Sequence, residues 1–164
     1  MLNSFIHWWM VEENCPEVVT GWNSELYDMP YLVRRIDRVL GEKLMKRMSP
    51  WGLVTEKETF IMGRKHISYD VGGITQLDYL NLYKKFTYKA QESYRLDYIA
   101  SVELGQKKLH SEFDTFKDFY TNGWQKFVEY NIIDVELVDR LEDKMKLIEL
   151  AITCLLYTSP SPRD

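Results

Sequence analysis

The segment from Glu17 to Trp22 places the strongest limit on what this chain can fold into. It is short, rich in β-branched side chains and closed by Gly21, a composition typical of a buried β-strand. Amphipathic patterns that predict helices lie on both sides of it, from Leu2 to Glu13 before it and from Tyr31 to Met48 after it. With 164 residues and 45% hydrophobic content, the chain is the size of one domain with its own core, so we expect a single α/β domain or most of one.

Further along the chain the apolar residues predict a β-hairpin and a long C-terminal helix. Thr59 to Asp70 alternates on either side of Gly63, which predicts a hairpin with its tip near that glycine. Apolar residues at helical spacing predict one helix from Gly123 to Leu150. The remaining predicted elements are a short strand from Ile74 to Asp78, a helix from Tyr79 to Phe86, and a helix from Leu96 to Leu104 that ends at Gly105, a typical C-cap residue.

The last residues, Cys154 to Asp164, differ in character from the rest. They lose the helical period and become rich in serine and proline, and they resemble a translated sequencing-adapter tail. We therefore predict a domain over residues 1–153 and a non-native or disordered tail over residues 154–164. The alternative is a genuine flexible linker.

Charge and composition exclude several classes of protein. The net charge of −4 and the pI near 5.5 do not give the basic surface of a domain that holds nucleic acid by phosphate neutralisation, so any DNA contact must be local. Cys15 and Cys154 form no CxxC pair, and the three histidines share no ligand-like spacing, so no disulfide framework or zinc site is expected. No apolar run has the length of a membrane span and no secretion signal is present, which indicates a cytosolic protein.

Two carboxylates lie where catalytic chemistry is possible. Asp28 follows the predicted strand and its loop, and ligands bind at the carboxyl ends of strands in open α/β sheets. Tyr130 precedes Asp134 by one helical turn, so the two side chains share a face. Carboxylates are the ligands preferred by Mg²⁺, and hydrolysis by two metals needs them. The alternative interpretations are a helix cap for Asp28 and a chance spacing for the pair.

Longer stretches around these residues resemble a known family. Val19 to Glu25, continuing through Asp28 to Tyr31, resembles the second exonuclease motif of family B DNA polymerases, and Tyr130 to Asp134 resembles the third. The connecting segments Leu77–Phe86 and Ser93–Ile99 are similar to those of the branch found in T-even-like tailed bacteriophages. The resemblance extends over residues 1–153 in order.

This resemblance implies a ribonuclease-H-like exonuclease fold in which four carboxylates bind two Mg²⁺ or Mn²⁺ ions. It implies that Asp134 is a direct metal ligand, that Asp28 holds the second ion partly through water, and that Tyr130 orients the attacking water. Asn23 would lie beside the nucleotides at the primer end. The hairpin with Arg64 at its tip resembles one that helps to separate the primer end from the template.

The implied parent protein is a replicative DNA polymerase with 3′–5′ proofreading activity, in the cytoplasm of an infected bacterial host. Its implied partners are the single-stranded 3′ primer end of DNA, the polymerase domain of the same parent chain and a sliding clamp. An alternative is a non-catalytic α/β module that binds nucleic acid or protein, and another is an unrelated ribonuclease-H-like nuclease.

The first exonuclease motif of the family, an Asp-x-Glu on the opening strand, would precede the Leu2 helix and is not in this sequence. We therefore expect a partial fold that lacks its first strands, and a chain that is inactive by itself. The strand from Val18 to Trp22 would pair with that first strand, so we expect its backbone to be left unpaired and the chain to aggregate.

Overall fold

The computed structural model describes residues 1–11, 13–61, 63–105 and 116–158. It is a mixed α/β structure that divides into two compact units, Met1–Asn81 and Leu82–Asp164. The elements in chain order are α1 (Leu2–Trp9), β1 (Val18–Gly21), α2 (Asp28–Leu40), α3 (Glu42–Met45), a 3₁₀ turn (Lys46–Met48), β2 (Val54–Ile61), β3 (Arg64–Val71), β4 (Thr75–Asp78), α4 (Tyr79–Phe86), α5 (Leu96–Leu104), α6 (Phe116–Asn122), α7 (Trp124–Met145) and α8 (Leu147–Thr158).

Strand β1 pairs in parallel with β4 in the first unit. The register aligns Val18 with Thr75 and Gly21 with Asp78, and the Thr20 hydroxyl donates to the carbonyl of Leu77 at 2.7 Å. The predicted strand is therefore confirmed. The expectation that its backbone would be unpaired is wrong along this edge, because β4 supplies the partner groups.

Strands β2 and β3 form the predicted antiparallel hairpin. Their pairing extends from Val54 opposite Val71 to Ile61 opposite Arg64, and the backbone hydrogen bond from Gly72 N to Leu53 O (2.7 Å) closes the base. Gly63 lies at the tip with a φ of +74°, a conformation that glycine adopts without steric cost. The hairpin is longer than predicted, since β2 already begins at Val54.

Helices α1 and α2 supply most of the core of the first unit. The apolar face of α2 presents Met29, Val33 and Ile36, whose spacing of four and three residues places them on one side of the helix. The indole N–H of Trp9 on α1 donates to the carbonyl of Met48 at 2.8 Å, which satisfies that buried donor. The buried core residues of this unit are Ile6, Trp9, Met29, Val33, Ile36, Met48, Val71 and Ile74.

The predicted helix from Tyr31 to Met48 is interrupted at Gly41. This glycine has a φ of +86° and a ψ of 162°, so the chain leaves the helical path there before α3 begins. The same helix starts earlier than predicted, at Asp28. Helix α1 in turn ends at Trp9, short of the predicted Glu13.

The predicted long C-terminal helix is two helices, because Lys146 adopts a left-handed conformation with a φ of +54°. The Glu142 carboxylate accepts hydrogen bonds from the backbone N–H groups of Ile148 (3.0 Å) and Glu149 (3.3 Å), which satisfies donors in the first turn of α8. Helix α8 continues to Thr158, so residues 154–158 are helical where a disordered tail was expected. Residues 159–164 of the predicted tail lie outside the described residues, and its origin stays a prediction.

No helix in the described ranges is long and apolar enough to cross a membrane.

Tyr83 anchors a polar network inside the second unit. Its side chain has no solvent exposure, and its hydroxyl donates to Glu103 at 2.8 Å and accepts from the Gln91 amide at 3.2 Å. Glu103 also lies 3.4 Å from the ammonium of Lys144 on α7. Burial, reinforced by the hydrogen bond to the Glu103 carboxylate, raises the pKa of Tyr83 to about 12.

We expect replacement of Tyr83 by phenylalanine to lower stability at neutral pH and to reduce the loss of stability at alkaline pH. An exposed tyrosine in the unfolded chain ionises near pH ~10, whereas Tyr83 in the folded chain stays neutral to about pH 12. Its stabilising contribution is therefore complete below about pH 10 and is lost as the pH rises towards 12. The lost hydrogen bond should cost about 1.5–3 kcal/mol at pH 8, because its acceptor is the Glu103 carboxylate.

Urea unfolding of the wild type and the variant at pH 8 and pH ~11 measures both effects. Tyr88→Phe is the control, because the Tyr88 side chain is fully exposed. An identical decline in stability for wild type and Tyr83→Phe would contradict the assignment.

Candidate functional site

The carboxyl ends of β1 and β4 lie side by side, because Gly21 and Asp78 are paired residues of a parallel ladder. A loop leaves β1 after Gly21 and leads into α2, whose first residue is Asp28. The structure thus places Asp28 just past the carboxyl end of a strand, where α/β sheets bind ligands.

Asp78, a residue that is only 5% exposed, holds this loop through its carboxylate. One oxygen, Oδ1, accepts hydrogen bonds from the backbone N–H groups of Asn23 (3.2 Å), Leu80 (3.0 Å) and Asn81 (3.4 Å). The other, Oδ2, accepts from the backbone N–H of Glu25 at 3.1 Å. Two of these donors belong to the first turn of α4, and the other two belong to the loop after β1.

Asn23 has a left-handed backbone with a φ of +64°. Asparagine tolerates this conformation better than most other residues, so the residue type suits the bend. The Asn23 carbonyl accepts from Tyr27 N at 3.1 Å, and the Asn81 side-chain amide donates to the Glu25 carboxylate at 3.3 Å. Backbone and side-chain bonds together fix the loop that contains the predicted DNA-binding residue Asn23.

Asp28 presents an exposed carboxylate at the first turn of α2. Partial desolvation raises the pKa of Asp28, and the nearby charge of Asp78 raises it further, while a hydrogen bond to the backbone N–H of Asp28 opposes both effects. The N-cap position of α2 belongs to Tyr27 and not to Asp28. Asp28 therefore lies near the buried acid Asp78 and is not the N-cap residue of α2.

Tyr130 and Asp134 lie together on α7 in the second unit, one turn apart and both half-buried. The buried ring of Phe119 on α6 packs edge-on against Tyr130, with ring centroids 5.8 Å apart, and against Phe127 at 5.5 Å. These contacts restrict where the Tyr130 ring can lie. Arg64, the remaining predicted site residue, is exposed in the first unit as the first residue of β3, beside the hairpin tip.

Two residues that contact predicted site residues, Asp78 and Phe119, were not themselves predicted as site residues. Asp78 ends a predicted strand directly before a predicted helix, which is a recognisable position for a capping acid. The sequence around Asp78 does not predict its hydrogen bonds to Asn23 and Glu25, because these partners lie more than fifty residues away. Phe119 belongs to α6, a helix that the sequence analysis did not predict.

Two of the predicted site residues, Asp28 and Asp134, have side chains of the type that binds a divalent cation. Asp28 in the first unit and Asp134 in the second each offer carboxylate oxygens, which Mg²⁺ and Mn²⁺ prefer, and a cation at Asp28 would offset the repulsion from Asp78. Within the described part of the chain, no group of three or more His, Cys, Asp or Glu side chains could hold a metal ion. The ligand chemistry fits magnesium, but the described residues do not complete a site.

Residues 1–99 match the family model described as DNA polymerase family B, exonuclease domain. The DNA-directed DNA polymerase of Enterobacteria phage T4 is 39% identical over 158 residues, which cover 96% of this chain and 17% of that protein. The DNA-directed DNA polymerase of Escherichia phage RB69 is 36% identical over 157 residues, with the same coverage of 96% and 17%. The DNA polymerase of Autographa californica nuclear polyhedrosis virus is 25% identical over 156 residues, 90% of this chain and 15% of the relative. The chain thus spans about a sixth of the length of these relatives.

Proposed function

The chain belongs to the exonuclease domain family of family B DNA polymerases, and from this membership we propose that it forms part of a 3′–5′ proofreading exonuclease in a replicative polymerase. The similarity to the T4 and RB69 enzymes confirms the resemblance to the T-even-like phage branch. We propose for the parent a ribonuclease-H-like exonuclease fold, a polymerase domain in the same chain, a sliding clamp as partner and the cytoplasm of an infected bacterium as its location.

The observation that supports this proposal most directly is the family match over residues 1–99, because it includes β1, its loop and Asp28. Independently of the match, Asp28 lies past the carboxyl end of a parallel strand, where a substrate would bind. A shared fold alone would not indicate chemistry, but an acid in this position is suited to metal-assisted hydrolysis.

From the family membership, Asp28 and Asp134 are the residues of this chain that would hold divalent cations in the parent enzyme. Asp134 would be a direct ligand, and Asp28 would hold its ion partly through water. When bound, two Mg²⁺ or Mn²⁺ ions would supply Lewis-acid chemistry, which activates the attacking water and stabilises the leaving oxygen. The Tyr130 hydroxyl orients that water, and the edge-on contact with Phe119 limits the movement of the tyrosine ring.

Contacts with DNA are proposed for Asn23 and Arg64. The overall charge of −4 does not attract DNA to the chain as a whole, so individual groups must position the 3′ end. Asn23 lies in the loop before Asp28, where an amide can donate to and accept from a nucleotide. Arg64 is exposed at the hairpin tip, where a guanidinium can bind a phosphate.

A chimeric polymerase tests the proposal: the aligned part of this chain replaces the corresponding segment of the phage T4 relative. We expect the chimera to degrade single-stranded DNA from its 3′ end in Mg²⁺, to release deoxynucleoside monophosphates, and to stop when the metal is chelated. Photocrosslinkers at positions 23 and 64 should react with the bound DNA. A chimera that extends primers but degrades no DNA would refute the exonuclease assignment and favour a non-catalytic module.

A further inference from the structure

Asp78 is buried more deeply than a helix cap requires. Among the residues that the structure describes, it is the one buried acidic residue, with 5% exposure. Burial of a carboxylate is unfavourable unless hydrogen bonds replace its water. A cap on α4 needs only the N–H groups of Leu80 and Asn81, which Oδ1 accepts at 3.0 and 3.4 Å.

The other two hydrogen bonds of Asp78 connect segments that are distant in sequence. Asn23 N donates to Oδ1 and Glu25 N donates to Oδ2, so each oxygen binds the loop after β1. Hydrogen bonds to a charged acceptor are stronger than bonds between neutral groups. The carboxylate therefore fixes the loop backbone at two positions relative to the end of β4.

The loop also bonds to the start of α2, and it therefore fixes the position of Asp28. Glu25 precedes Asp28 by three residues, and the Glu25 side chain is held by the Asn81 amide at 3.3 Å. At the start of α2, Met29 N donates to the carbonyl of Ser24 at 3.0 Å. The first turn of α2 is thus bonded to the same loop that the Asp78 carboxylate holds.

From this geometry we propose that Asp78 is a positioning residue of the exonuclease, which sets the location of Asn23 and Asp28 without contacting the substrate. The inference rests on the proposed function. It adds a residue from outside the two recognised motifs, and it assigns a role to the strand β4 that pairs with β1.

The test compares two substitutions of Asp78 in the chimeric polymerase. Asp78→Ser keeps a hydroxyl that can cap α4 but is too short to bind the loop. Asp78→Asn keeps the shape and the Oδ1 acceptor but turns a donor towards Glu25 N. We expect Asp78→Ser to lower the single-turnover exonuclease rate about 10- to 100-fold, in line with the effect of displacing a catalytic group by about 1 Å, and Asp78→Asn to have a smaller effect.

Hydrogen exchange on the same proteins supplies a readout that does not depend on activity. The amides of Asn23 and Glu25 should exchange faster in Asp78→Ser, whereas those of Leu80 and Asn81 should stay protected. Primer extension should remain at the wild-type level, which shows that the polymerase domain is intact, and the continued protection of Leu80 and Asn81 shows that α4 is still folded.

Ser49→Ala is the matched control for loss of a buried polar contact. The Ser49 side chain is 4% exposed, and its hydroxyl donates to Gly72 O at 2.6 Å and accepts from the N–H groups of Trp51 and Leu53 at 3.1 Å. We expect Ser49→Ala to reduce thermal stability without changing the exonuclease rate.

The inference is overturned if both Asp78 variants degrade DNA within about twofold of the wild-type rate, or if Ser49→Ala lowers that rate to the same extent. If Asp78→Ser abolishes primer extension, the rate and exchange of Asp78→Asn decide the question. An inactive wild-type chimera instead contradicts the proposed function itself, so the two failures are distinguishable.

Discussion

Replacement of Asp134 by alanine is expected to reduce exonuclease activity of the chimeric polymerase by about 1000-fold or more, with primer extension unchanged. A ligand that holds a catalytic cation supports several kcal/mol of charge stabilisation in the transition state. About 4 kcal/mol corresponds to a rate factor of about 1000. Degradation of 3′-labelled single-stranded DNA under single-turnover conditions is the measurement.

Asp139→Ala is the matched control for this prediction, because Asp139 is an exposed acid on the same helix. It should degrade DNA at the wild-type rate. If Asp134→Ala also retained that rate, neither Asp134 nor its pairing with Tyr130 would belong to the reaction, and the third motif would be only a structural resemblance.

Ile36→Ala should lower the free energy of unfolding of the chain by about 2–5 kcal/mol. Ile36 is fully buried in the core beneath α2, and its truncation removes buried methyl groups and leaves a cavity. Val39, on the same helix, is 51% exposed, so Val39→Ala should change stability by no more than about 0.5 kcal/mol.

Urea denaturation followed by circular dichroism measures both variants. Equal effects of the two substitutions would mean that α2 does not pack through the face that carries Ile36.

Local signals were sufficient to predict several elements of the fold. The β-branched run at β1, the alternation around Gly63 and the glycine that follows α5 each depend on residues close together in the sequence. The structure confirms the strand, the hairpin and the end of α5 at Gly105, which has a φ of +68°.

The two breaks in predicted helices were missed for different physical reasons. At Gly41 the residue that permits the break was visible, but apolar residues at helical spacing continue on both sides of it. At Lys146 the residue type does not predict a helix break. The break there is stabilised by the Glu142 carboxylate, which bonds to the N–H groups of Ile148 and Glu149.

The candidate site was predictable only in part. The sequence was enough to predict that Asp28 follows a strand and that Tyr130 and Asp134 share a helix face, and the structure confirms both positions. Their catalytic roles stay predictions. The involvement of Asp78 could not be predicted, because it depends on the pairing of β1 with β4, and the family resemblance implied only the pairing of β1 with the first strand.

The closed base of the β2–β3 hairpin has a consequence for how this protein can evolve. Val54 and Val71 face each other, so the chain leaves for the hairpin and returns at nearly the same point before it enters β4. The free energy of loop closure depends only weakly on length, and removing the hairpin residues from the connection between β1 and β4 would change it by only about 0.4 kcal/mol. Insertions and deletions at the tip are therefore nearly neutral for the parallel pair. Selection can change the reach of the hairpin while the positions of Asp28 and Asp78 stay the same.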